Sequence, residues 1–180
     1  MNNTFKHSGD IGDIIYGLVS IKRIGGGTLY LDTSGGENDK ACNFQCLDGK
    51  TKFNKVSIFL NVFNVHVNRV PLPGVVTKVI YRPGKFLSAN AEDASVENER
   101  NSVVVKNSNG TEIIFVQVAG LVARRIISDL KEGQEVVAGQ RYGIIRFGSR
   151  ADLYFPENVE IKSLLGQTMV GGETIIAKIN

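Results

Sequence analysis

Arg146-Phe147-Gly148-Ser149-Arg150 sets a hydroxyl directly behind a glycine carbonyl, between two apolar runs. Alone, a Gly-Ser pair between strands is most often only a turn, and the Gly-x-Ser-x-Gly elbow of α/β-hydrolases is missing. His66 stands in Val65-His66-Val67-Asn68-Arg69-Val70-Pro71 and is one of two histidines. A near-neutral base beside an arginine suits proton handling; the bland alternative is a satisfied core histidine. Asn68 and Arg69 are costly in such an apolar run unless they meet polar partners. Two loops hold the other polar clusters, Tyr81-Arg82-Pro83-Gly84-Lys85-Phe86 and Glu97-Asn98-Glu99-Arg100-Asn101-Ser102. On a surface, Glu99-Arg100 would be a solvated ion pair worth well under ~1 kcal/mol.

The elements that must position these residues are mostly short strands. Val56 to Val67, Val75 to Tyr81, Ser102 to Lys106, Glu112 to Val118, Leu121 to Ile127, Glu135 to Val137, Tyr142 to Phe147, Ala151 to Phe155, Val159 to Ile161 and Glu173 to Ile179 are rich in β-branched and aromatic residues. Asn109-Gly110 between two of them predicts a hairpin. Ala91 to Asn98 is the one short helical stretch of this part. Upstream, Ile14, Ile15, Leu18, Val19 and Ile21 recur at helical spacing, Gly25-Gly26-Gly27 stops the helix, and Thr28 to Leu31 read as a strand. That outlines a β-α-β start. Asp32 to Asn54 is polar and turn-rich, a linker or a set of surface loops.

The bulk numbers exclude little but point the same way. Twenty glycines and nine phenylalanines without tryptophan suit many turns and strands. A net charge of +3, from 21 basic and 18 acidic residues, gives no ground for a nucleic-acid partner. Cys42 and Cys46 lack the further cysteine or histidine pair that a zinc site needs, so two reduced thiols are expected. No apolar run reaches the ~18 residues of a membrane span and no signal peptide is evident, so any lipid would be reached from the water side.

Taken in order, five stretches resemble the phosphatidylserine decarboxylases in their short, pyruvoyl-dependent form. They are Val-Ser-Ile-Phe-Leu-Asn-Val-Phe-Asn-Val-His-Val-Asn-Arg at 56–69, Tyr-Arg-Pro-Gly-Lys-Phe at 81–86, Glu-Asn-Glu-Arg-Asn-Ser at 97–102, Gly-Leu-Val-Ala-Arg-Arg-Ile at 120–126 and Phe-Gly-Ser-Arg at 147–150. The resemblance covers residues 54–180 and implies a mainly-β, barrel-sandwich-like domain there, preceded by a short α/β-like segment and linker over 1–53. It implies self-cleavage between Gly148 and Ser149. The Ser149 oxygen attacks the Gly148 carbonyl, elimination frees the upstream chain, and hydrolysis leaves a pyruvoyl group in place of the serine. It also implies decarboxylation of phosphatidylserine to phosphatidylethanolamine, with the pyruvoyl carbonyl as the electron sink that pyridoxal phosphate supplies elsewhere. His66 is implied as the proton carrier. Arg69, which stands where some relatives have a second histidine, and Tyr81, Lys85, Glu99 and Arg100 are implied as residues holding substrate or structure. The implied partners are phosphatidylserine, a membrane surface and the chain's own α and β fragments, with no nucleic acid and no metal. The implied place of work is cytoplasmic, peripheral on the membrane.

The family's Ser-Pro-Ala-Asp-Gly-like stretch, whose aspartate completes a self-cleavage triad, has no clear counterpart. Asp48, 18 residues before His66, and Asp32 are the stand-ins. Residues 6–31, with Gly-Asp-Ile-Gly-Asp at 9–13, resemble the opening of a heptosyltransferase-like glycosyltransferase. Two rival readings follow. One is an inactive, unprocessed relative that binds lipid or a partner. The other is a lipoyl-like carrier module, suggested by Leu130-Lys131-Glu132-Gly133-Gln134 and Gly139. A carrier presents a lysine where this chain has Gly148-Ser149, which favours the enzyme.

Overall fold

The computed structural model describes residues 14–16 and 28–32 as backbone, and residues 53–61, 63–91 and 93–179 in full. Among them the chain is mainly β, in three antiparallel sheets. The largest runs in the order β2 (Thr28–Asp32), β3 (Phe53–Leu60), β11 (Ser149–Pro156), β7 (Glu112–Val118), β6 (Arg100–Lys106), β5 (Gly74–Arg82) and β9 (Glu135–Val136). A second holds β4 (Val67–Arg69), β10 (Arg141–Ile145) and β8 (Ile126–Ser128). A third holds β1 (Ile14–Tyr16), β13 (Ile175–Lys178) and β12 (Glu160–Ile161). The single helix among the described residues, α1 (Ala94–Glu97), lies within the expected 91–98 stretch.

Period-2 alternation builds the core. On β7, Ile113 and Phe115 join one apolar cluster with Val56, Ile58, Leu60, Val103, Val105, Ala151, Leu153 and Phe155. Ile114, Val116 and Val118 turn to the opposite face and pack with Val104, Tyr154 and Ala94 of α1. The middle strands are thus covered on both faces. Asn109-Gly110 makes the expected hairpin, with Lys106 opposite Glu112 and Gly110 at φ +84°.

Two expectations are corrected. The helix over Ile14 to Ile24 is a strand at 14–16, paired antiparallel with β13. The edge of β13 satisfies backbone groups that a helix would satisfy internally, and β-branched Ile14 and Ile15 favour the extended form. β2 pairs antiparallel with β3 in another sheet, and residues 1–13, 17–27 and 33–52 of the expected α/β-like segment lie outside the described residues. The run from Val56 to Val67 is also broken. Asn61 accepts the Phe63 N–H on its side-chain oxygen at 2.9 Å, and Asn64 accepts the Asn61 N–H at 2.8 Å. Such side-chain mimicry of a turn ends β3 and restarts the chain as β4.

Candidate active site

Phe147 and Gly148 link β10 to β11 in left-handed conformation, at φ 53° and 70°. Glycine adopts this freely, whereas phenylalanine gives up on the order of 1 kcal/mol. Nothing stands where a Cβ of Gly148 would be, so the conformation and not the space asks for glycine. Ser149 follows as the first residue of β11, opposite Leu60 of β3, with 0% of its surface exposed. Its hydroxyl donates to the Ile145 carbonyl at 3.4 Å, long for an O–H···O bond. A hydroxyl held that weakly is free to turn.

His66 reaches this turn from just ahead of β4. The Ile145 N–H donates to the His66 carbonyl at 3.3 Å, which zips the residue to the end of β10. Its buried ring meets the Phe147 ring edge-on, with centroids 5.3 Å apart at 79°. The phenylalanine that precedes the Gly-Ser pair is therefore braced on the histidine. Asn68 explains its own place in an apolar strand. Its side-chain oxygen accepts from Gln117 at 2.8 Å, and Gln117 in turn accepts from Asn101 at 3.1 Å. This buried amide chain ties β4 to β7 and β6.

Arg150 fastens the other side of the turn. Its guanidinium donates to the carbonyls of Ala89 and Ala91 at 2.8 and 3.0 Å, pairs with Asp152 at 2.8 Å, and donates to the Ser95 hydroxyl. Ser95 also accepts from Lys55 at 2.7 Å and donates to Asp152 at 2.9 Å, so every role of that hydroxyl is filled. Burial pushes the Asp152 carboxyl up, but Arg150 and Lys55, with hydrogen bonds from Ser57 and Arg150, more than reverse this and hold it below the usual carboxylate range.

The other sequence candidates lie on supporting structure. Arg69 donates to the Gly139 carbonyl at 2.6 Å, and burial followed by the charge of Arg141 lowers its pKa. Arg100 is buried and donates to the carbonyls of Val96 and Asn98. Lys85 forms an exposed 2.7 Å pair with Glu97, and Tyr81 bonds to Glu99; loss of water and then that carboxylate raise the phenol's pKa. Asp48 lies outside the described residues. Asp32 is described as backbone opposite Lys55, five residues along β3 from the Leu60 that faces Ser149, or about 17 Å. In the sequence Asn98 stands out only as part of the 97–102 motif. Its amide bonds the Leu87 N–H and donates to the carbonyls of Leu87 and Ala119, all at 2.9 Å, beside the turn.

The family model for phosphatidylserine decarboxylase matches residues 27–177. The chain belongs to the phosphatidylserine decarboxylase family. The match takes in β2, upstream of the stretch whose motifs carried the resemblance. A phosphatidylserine decarboxylase proenzyme of Rickettsia africae (strain ESF-5) is 55% identical over 129 residues, which cover 72% of this chain and 56% of that protein. The proenzyme of Saccharopolyspora erythraea is 54% identical over 131 residues, covering 73% and 56%. The chain thus spans a little over half the length of the curated relatives it matches. Among the described residues no helix is long and apolar enough to cross a membrane.

Proposed function

We propose that the chain cleaves itself between Gly148 and Ser149 and uses the resulting pyruvoyl group to decarboxylate phosphatidylserine to phosphatidylethanolamine. The observation that carries this reading is the left-handed Phe147-Gly148 pair directly ahead of a buried, weakly held serine hydroxyl. Strain stored before a nucleophile, with both flanks clamped, favours attack on the adjoining carbonyl. These residues fit a pyruvoyl precursor at 149: an unhindered glycine carbonyl, a hydroxyl able to turn, and a strand end fixed by Arg150. The pyruvoyl carbonyl would supply the electron sink for decarboxylation. His66, linked to the turn through Phe147, is the proton carrier. Arg69 and Arg100 serve the scaffold, and Tyr81, Lys85 and Glu99 hold the loops beside it.

The substrate side of the reading is a membrane surface. Leu121 and Val122 are 59% and 63% exposed at the tip of a turn closed by the Gly120 N–H to the Ala123 carbonyl. Phe147 is half exposed nearby, and Arg124, Arg125 and Arg146 flank these side chains in the sequence with exposed positions of their own. Apolar tips among arginines suit an anionic lipid interface. Leu121→Ser with Val122→Ser is expected to lower co-sedimentation with phosphatidylserine vesicles several-fold and to leave self-cleavage unchanged; equal binding would remove this surface from the reading.

Denaturing mass spectrometry tests the central claim. Purified wild-type chain should give residues 1–148 and 149–180, the second beginning with a carbonyl that borohydride reduces. Ser149→Ala should stay whole, having no hydroxyl to attack. A single wild-type mass after long incubation would favour the unprocessed relative.

A further inference from the structure

We propose that Gly120 is a positioning residue for self-cleavage, holding the Gly148 carbonyl in place for attack; this rests on the self-cleavage reading above. A Cβ built on Gly120 would lie 1.9 Å from the Gly148 carbonyl oxygen and 3.0 Å from the carbonyl carbon, with Ala89 Cβ 3.2 Å away. The hydrogen that stands there instead points at the carbonyl oxygen, a C–H···O contact. The contact is weak as a bond, so its importance is steric: the oxygen cannot swing towards residue 120.

Gly120 itself cannot yield. The Ala119 N–H donates to the Glu99 carbonyl at 2.9 Å, the Ala119 carbonyl accepts from Asn98 at 2.9 Å, and the Gly120 N–H donates to Ala123 at 3.1 Å. Ala89, which also neighbours this position, is fastened to Arg150 through its carbonyl. The scissile carbonyl therefore has one orientation, fixed by Asn98 and Glu99, the 119–123 turn and the 89–91 loop together. In the first step the Ser149 Oγ bonds to the Gly148 carbon, the carbon–nitrogen bond breaks, and the hydroxyl proton passes to the nitrogen. An alanine at 120 must displace the carbonyl by about 1 Å, an error of the size that costs on the order of a hundredfold in a positioned reaction.

The test follows cleavage of freshly unfolded and refolded chain over time for wild type and Gly120→Ala. At least a tenfold slowing is expected, while Gly120→Ala placed in a Ser149→Ala background melts within a few degrees of Ser149→Ala alone. Adding Ala89→Gly should not restore the rate, since the clash is with the carbonyl; restoration would overturn the inference. Hydroxylamine, which splits esters and spares amides, should leave the variant slow because the block precedes the ester. Rapid splitting in hydroxylamine would place the block later and also overturn it. Should Gly120→Ala not fold, Leu121→Gly frees the same backbone and removes only an exposed side chain; several-fold slowing is expected, and an unchanged rate refutes the role. A wild-type chain that never splits overturns the self-cleavage reading and this inference together, whereas wild type and Gly120→Ala splitting at equal rates overturn this inference alone.

Discussion

Asp152→Ala is expected to destabilise the fold by about 3–5 kcal/mol, because it leaves two cations buried without their counter-charge. Arg150 and Asp152 share one face of β11, two residues apart, and Lys55 and Ser95 close the cluster from β3 and α1. Arg150 and Lys55 are both buried and cannot rotate into water without opening this face of the sheet. Taking away the carboxylate removes what they were buried against, so the loss exceeds that of any one hydrogen bond. Urea unfolding in a Ser149→Ala background, where one covalent species is present, measures it; a change under ~1 kcal/mol would show that the cluster is not an ionic keystone. The pH dependence carries a sign. A carboxyl held below its unfolded value contributes stability above the unfolded pKa of ~3.9, and that stability is lost as pH falls through the folded value. The parent should therefore weaken progressively below about pH 4, and Asp152→Asn should show a flatter dependence across the same window. Because Arg150 adjoins Ser149, the variant should also cleave more slowly than its stability alone accounts for.

What the residues reveal in advance is local. Glu112 to Val118 alternates faces and is flanked by Asn109-Gly110, and β7 has those bounds. Leu121 to Ile127 is equally apolar, yet only Ile126 and Ile127 enter β8. The Gly120 N–H closes on Ala123 and throws Leu121 and Val122 outwards, which apolar composition cannot announce. The break after Leu60 was readable in principle, since Asn61 and Asn64 are two turn-forming amides inside an apolar run. Of the proposed site, Ser149, Gly148 and His66 can be read from motif order. Gly120 was not, because its importance is a contact with a residue 28 positions away, made only when the turns meet. Asp152 could have been suspected: two opposite charges alternating with Ala151 and Leu153 in a buried strand must be paired or the strand fails.

His66→Ala is expected to slow self-cleavage, or carbon dioxide release after it, by ~100-fold or more, as removal of a general acid–base does. The alternative is that His66 matters only as the surface on which Phe147 rests. The two can be separated because the ring contact is edge-to-face and apolar in character. His66→Phe keeps a ring beside Phe147 and keeps the left-handed turn braced, but it carries no proton. A proton carrier makes His66→Phe as slow as His66→Ala; a packing role lets His66→Phe retain most of the rate. Cleavage is followed by denaturing mass spectrometry and turnover by release of labelled carbon dioxide from phosphatidylserine vesicles, so a loss in either step is assigned to that step. Both variants are also melted in the Ser149→Ala background, where a shared rate loss with little change in melting temperature identifies chemistry and not folding. Normal cleavage and normal turnover in His66→Ala would return this residue to the core.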